Sequence, residues 1–144
     1  MTGKNVAVVT DSTAYIPDEA CAGLDIPAIP LWLIWGDERY RDGVDIAPDD
    51  FYRLLQDRDT IPSTSQPSVG EFVDFYHRVA EEQGTDTIVG AFISSRISGT
   101  VDSAQTAAAE VQDLDVTVID SFSTAMDLGF MALAAARKAA AGAS

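Results

Sequence analysis

The run from Thr87 to Ile93 stops abruptly at the hydroxyls of Ser94 and Ser95, and a helical pattern of short residues begins near Ser98. A short apolar run that ends in a polar turn and feeds a helix predicts a buried strand with its carboxyl end beside a helix N-terminus. The first N–H groups of such a helix have no partner within it, so the turn can hold a small anion such as a carboxylate or a phosphate. The arrangement recurs twice. Val6-Ala7-Val8-Val9 predicts a strand ending at Asp11-Ser12-Thr13, and Val116-Thr117-Val118-Ile119 predicts one ending at Asp120-Ser121-Phe122-Ser123-Thr124. Strands alternating with helices imply an α/β fold with a mainly parallel sheet flanked by helices. In such sheets ligands bind beyond the carboxyl ends of the strands.

The intervening segments supply the remaining elements. Pro17-Asp18-Glu19 reads as the first turn of a helix that runs to about Gly23. Leu31 to Trp35 is too short and too aromatic for a helix. Gly36-Asp37 is a turn signal, Glu38-Arg39-Tyr40 returns as a hairpin arm, and Pro27 and Pro30 place this hairpin at a sheet edge. Tyr40 to Ile46 is a polar loop, and Pro48-Asp49-Asp50 opens a helix with Phe51, Leu54 and Leu55 at helical spacing. Thr60 to Pro67 is a loop rich in hydroxyls. Ser68 and Glu71 form a capping-box pattern, and the helix behind them buries Phe72, Phe75, Tyr76 and Val79 before stopping near Gly84. A later helix presents Val101, Ala104, Ala108 and Val111. The last runs to about Ala141 and is apolar nearly all round, with Met126, Leu128, Phe130, Met131 and Leu133. Such a helix is usually covered on more than one side.

At 144 residues the chain is the size of one ordinary domain and can build a core without disulfide or metal. Cys21 is the only cysteine, which excludes an internal disulfide and fits a reducing cytoplasm. Met1 to Tyr15 lacks the pattern of a signal peptide, and no apolar run has the length of a membrane span. The net charge of −14 argues against binding nucleic acid and against stable residence on or in an anionic membrane. It leaves room for one anionic ligand held by hydroxyls and backbone amides.

Thr64, Ser65, Ser94 and Ser95 each carry a hydroxyl that donates one hydrogen bond, which suits an acceptor-only carboxylate. Ser68 and Ser98 read as helix caps. For Thr64 and the Ser94-Ser95 pair the pattern leaves cap and ligand site equally open. A hydroxyl-based hydrolase or phosphoryl-transfer enzyme is the enzymatic rival. The one histidine, His77, falls on the exposed face of a helix, and no Gly-x-Ser-x-Gly elbow, glycine-rich dinucleotide motif or P-loop is present. Asp11 and Asp120, with Ser12 and Ser121, stand at strand ends where a metal could bind, although Asp-Ser at such a turn is more often a helix-start feature. Trp32 and Trp35 read as packing residues.

Five segments in order are familiar together: Val9 to Ala14, Tyr40 to Ile46, Thr64-Ser65-Gln66-Pro67-Ser68, Ser94 to Thr100, and Asp120-Ser121 with the apolar helix behind it. Over essentially its whole length, residues 1–144, the chain resembles the N-terminal domain of the DegV family of bacterial fatty-acid-binding proteins. The resemblance implies a carrier without catalysis or cofactor of its own. Such a carrier holds a long-chain fatty acid in a tunnel and presents its carboxylate to a separate fatty acid kinase, which makes acyl phosphate for phospholipid synthesis. It further implies that Thr64 and Ser95, or Ser94, bind the carboxylate. Val101 stands where relatives often carry tyrosine. Family members are about twice as long, with a second domain that closes the tunnel and supplies arginine and histidine. The expectation is therefore a truncated chain, and a fragment inert without that half is the alternative to a working carrier.

Overall fold

Six residues, Val6–Asp11, form the first strand (β1), four of them strongly apolar, and their carbonyls and amides are shared with two neighbours. In the computed structural model, which describes residues 5–144, β1 lies in a four-stranded sheet. Met1 to Lys4, the start of the stretch read for a leader, lie outside the described residues. The other strands of this sheet are β2 (Ala28–Ile29), β6 (Thr87–Phe92) and β7 (Asp115–Asp120), in the order β2-β1-β6-β7, all parallel. The mainly parallel α/β sheet read from the sequence is thus the observed one.

Helices cover both faces. Helix α2 (Val69–Gln83) starts at the expected capping box, with the Ser68 hydroxyl accepting from the Glu71 amide and the Glu71 carboxylate accepting from the Ser68 amide. It buries Phe72, Phe75, Tyr76 and Val79 against β1 and β6, and α3 (Thr100–Glu110) packs beside it with Val101, Ala104 and Ala107. Helix α4 (Ala125–Ala140) covers the opposite face of β1 and β6. Gly129 lets it approach the turn that follows β1, because a Cβ there would stand 2.9 Å from the Ala14 carbonyl oxygen. Its buried residues, Leu128, Gly129, Ala132, Leu133 and Ala136, recur at three- and four-residue spacing and make one face. Phe130 and Met131 remain outside it, at 63% and 44% exposure, so the all-round cover expected for this helix is not provided by the described residues.

Two other expectations change. The segment after Pro17 is a single 3-10 turn, Asp18–Cys21, rather than an α-helix. It lacks a side-chain cap, buries no residue, and is cut short by Gly23 at φ +78°. The hairpin does form, from β3 (Trp32–Trp35) and β4 (Glu38–Arg41), with Gly36 at φ +62° in its turn. It does not sit at the edge of the parallel sheet. It belongs to a separate antiparallel sheet, completed by β5 (Ser63–Ser65), which the sequence presents as loop. Only three residues pair there, and all three are hydroxyl-bearing, so the segment carries no apolar alternation to announce it. Helix α1 (Pro48–Asp57) closes the apolar face of this sheet, with Phe51 and Leu54 against Trp35, Leu33 and Ile46.

Candidate functional site

The space between the two sheets is the site. The parallel sheet ends there in Thr13 and Ile93, with Ile97 and Ser98 from the turn before α3. The antiparallel sheet contributes Leu31, Trp32, Leu33 and Thr64, and α1 contributes Pro48, Phe51 and Tyr52. Together they enclose a cleft of about 400 Å³, within the range of small-molecule pockets. Its walls are mostly apolar.

Thr64 reaches the cleft by register. It pairs with Leu33, and residues directly opposite in adjacent strands share a face. Among the described residues the Thr64 hydroxyl has no protein partner. Ser65, one residue on, projects to the other face, and its hydroxyl donates to the Gln66 carbonyl at 3.3 Å. The Gln66 side chain lies against Gly99, where a Cβ would come within 2.9 Å of it. This contact brings the end of the Thr64 strand against the serine turn.

The serine pair is placed differently. Ser94 is buried, its hydroxyl accepts from the Arg96 amide at 3.2 Å, and its carbonyl accepts from the Ile97 and Ser98 amides. Ser95 is exposed, and its hydroxyl and amide both engage the Asp120 carboxylate, the amide at 3.2 Å. The Ser95 hydroxyl, more than any other group, holds the Asp120 carboxyl below its ordinary range. Neither serine lines the cleft; Ser98 of the same turn does.

Asp11, Ser12, Asp120 and Ser121 tie the strand ends together. Asp11 is fully buried: one carboxylate oxygen accepts from the Ile93 amide at 2.7 Å and the other from the Thr13 amide and hydroxyl. Burial raises its pKa, the hydrogen bonds from Thr13 and Ile93 oppose the shift, and burial wins. The Ser12 hydroxyl accepts from the Leu31 amide at 3.1 Å, linking the two sheets. Ser121 donates to the Phe92 carbonyl at 2.6 Å, and Asp120 accepts from the Phe122 amide at 3.0 Å. No group of three metal-ligating side chains stands together among the described residues. His77 is on the surface beside Asp113, remote from these hydroxyls in the contacts it makes.

Sequence reasoning missed Tyr15 and Asp42, which also line the cleft. The Tyr15 hydroxyl donates to Asp42 Oδ2 at 3.1 Å, and burial, then the Asp42 carboxylate, push its pKa up to about 12. Tyr15 has φ +46°, a left-handed conformation that costs a residue with a Cβ roughly 1–2 kcal/mol. No periodic signal marks a residue in such a conformation; the available hint was the polar Tyr40 to Ile46 loop, which contains Asp42.

Two sheets joined at their ends, with helices outside and a mostly apolar, hydroxyl-edged cleft of small-molecule size between them, make up an α/β domain. The chain belongs to the DegV family, whose model, described as uncharacterised, matches residues 5–144. A DegV domain-containing protein of Streptomyces coelicolor is 42% identical over 139 residues, 96% of this chain and 48% of its own. The crystal structure of DegV of Bacillus subtilis, described as a fatty acid binding protein, superposes with a TM-score of 0.91 at 39% identity, over 98% of this chain and 49% of that one. A DegV family protein of Thermus thermophilus, described by its fatty acid binding, gives a TM-score of 0.85 at 33% identity, over 97% and 49%. The chain spans about half the length of the curated relatives it matches. No helix among the described residues is long and apolar enough to cross a membrane.

Proposed function

We propose that the cleft binds a long-chain fatty acid, with Thr64 donating to its carboxylate and the acyl chain against Leu31, Leu33, Ile93 and Phe51. The observation that carries this reading is the unpartnered Thr64 hydroxyl on the wall of a mostly apolar cleft. An ionised carboxylate needs donors, and an alkyl chain gains about 0.8 kcal/mol for each methylene taken out of water. Fold neighbours described as fatty acid binding support the ligand class. In this reading Ser95, or Ser94, and Ser65 stand in the surrounding hydroxyl set, and Asp11, Ser12, Asp120 and Ser121 fix the turns that carry it.

The chain acts as a carrier: it holds the acid while a separate cytoplasmic kinase phosphorylates the carboxylate, and a second domain, in the longer relatives, closes the open side. Organic extraction of the purified chain followed by mass spectrometry tests the ligand. Stoichiometric fatty acid in wild type, lost in Thr64→Ala, is the expected result. No lipid in either sample, with no lipid gained when the chain is fused to the second half of a relative, refutes it. Release of acyl phosphate on adding the kinase and nucleotide triphosphate tests the carrier role.

A further inference from the structure

A second cavity, of about 470 Å³, adjoins the cleft, and the two share Tyr15, Asp42 and Pro48 as walls. Of these shared walls, Tyr15 and Asp42 are joined to each other by a hydrogen bond, the Tyr15 hydroxyl donating to Asp42 Oδ2 at 3.1 Å. The register places this boundary relative to Thr64. Thr64 lies opposite Leu33, while the Asp42 amide donates to the Leu31 carbonyl, two residues away on the same chain segment. Two residues of extended chain span about 7 Å. That is shorter than a long acyl chain, so a chain anchored at Thr64 and running toward Leu31 reaches Tyr15 and either stops there or passes it.

We propose that the Tyr15 ring, at the wall shared with Asp42, is the stop that sets the length of acyl chain this cleft accepts, and that the second cavity is the space gained when the ring is removed. The proposal rests on the fatty-acid reading of the cleft. Two observations favour a stop over an open passage. Tyr15 is held at φ +46°, a conformation unfavourable for a residue with a Cβ that persists where the surroundings fix it. The second cavity is lined near β1 by Thr10, whose hydroxyl is buried without a hydrogen-bond partner, and by Asp11. An alkyl terminus laid there would leave the Thr10 hydroxyl unpaired and sit against the buried Asp11 carboxylate. Further out, Ile16, Ile26 and Val44 give that cavity an apolar side able to take additional methylenes.

The test is competitive displacement of a fluorescent fatty acid from the chain by saturated acids of increasing length, for wild type, Tyr15→Gly and Tyr15→Phe. Glycine removes the ring and also relieves the left-handed backbone, so the variant is expected to stay folded, as thermal unfolding will report. Tyr15→Gly should move the best-bound length upward by about two methylenes and raise affinity for the longest acids roughly tenfold. Tyr15→Phe, which keeps the ring, should keep the wild-type length. A Tyr15→Gly profile that superimposes on wild type overturns the stop and leaves the fatty-acid reading standing. An equal loss at all lengths overturns it too, since Tyr15 then serves the site as a whole. Failure of wild type to bind any acid overturns both.

Discussion

Asp11 joins residues 82 positions apart, at the junction of the two central strands, through the bond from the Ile93 amide. Its other oxygen serves the Thr13 amide and hydroxyl. Asp11→Asn keeps the side chain's size and removes one acceptor. The amide oxygen can serve Ile93 or Thr13, and the new NH2 then faces donors it cannot pair with. A lost hydrogen bond to a charged group is worth about 1.5–3 kcal/mol, and a buried donor left unsatisfied about 1–3 kcal/mol more. Relief of the buried charge offsets part of this. The net cost is about 2–4 kcal/mol at neutral pH, a fall in Tm of roughly 5–15 °C for a chain of this size. Urea unfolding followed by Trp32 and Trp35 fluorescence measures it, and amide exchange at Ile93 localises it. An Asn variant as stable as wild type, with Ile93 exchange unchanged, would refute the reasoning.

The pH dependence has a defined sign. The Asp11 pKa is raised in the folded state above the ordinary value of 3.8. The folded chain therefore binds more protons than the unfolded chain between those two values, and stability falls as pH rises through that window. The Asn variant lacks this term. The gap in stability between wild type and variant should be widest below pH 3.8 and narrow as pH rises through the folded pKa.

Two further outcomes are expected. Thr64→Ala should weaken fatty-acid binding about 10- to 100-fold, the equivalent of one hydrogen bond to a charged group, whereas Thr64→Ser should retain most of the affinity in the same displacement assay. Gly90→Ala puts a Cβ 2.5 Å from the Phe92 ring and 3.1 Å from Val9, in the centre of the sheet, and should cost about 1–3 kcal/mol by denaturant unfolding.

The elements that carry their own pattern were legible. The three long parallel strands are β-branched runs bounded by polar turns, and α2 announces its start with Ser68 and Glu71 and its end with Gly84. The β5 strand was not legible, because Ser63-Thr64-Ser65 has no apolar alternation and becomes a strand only by pairing with β3. The same pairing decides which of Thr64 and Ser65 faces the cleft, so the hydroxyl cluster could be named from sequence but not divided. The Tyr15–Asp42 contact spans 27 positions and depends on a left-handed residue. No local propensity encodes either fact.

What remains to be apportioned is the serine turn, where two hydroxyls one position apart have opposite surroundings. Ser94 is buried, and its hydroxyl is occupied as an acceptor by the Arg96 amide, shaping the turn that carries Ile97 and Ser98 to the cleft. Ser95 is exposed, its amide donates to Asp120 Oδ1 at 3.2 Å, and its hydroxyl, beside the same carboxylate, helps hold the Asp120 pKa low. A fatty-acid carboxylate arriving at this turn competes with Asp120 for the Ser95 proton, an exchange of one carboxylate for another that costs little because both sides are solvated. Ser94 could donate its proton without giving up the Arg96 amide, but it is buried and does not line the cleft. Ser95→Ala should therefore weaken binding about tenfold while leaving the unfolding midpoint within experimental error. Ser94→Ala should lower stability by about 1–2 kcal/mol and affect binding only through the fold. The reverse assignment, with Ser94→Ala stable and binding-defective and Ser95→Ala neutral for binding, would show that the turn rearranges on ligand entry and that the hydroxyl buried in the free chain is the one the carboxylate uses.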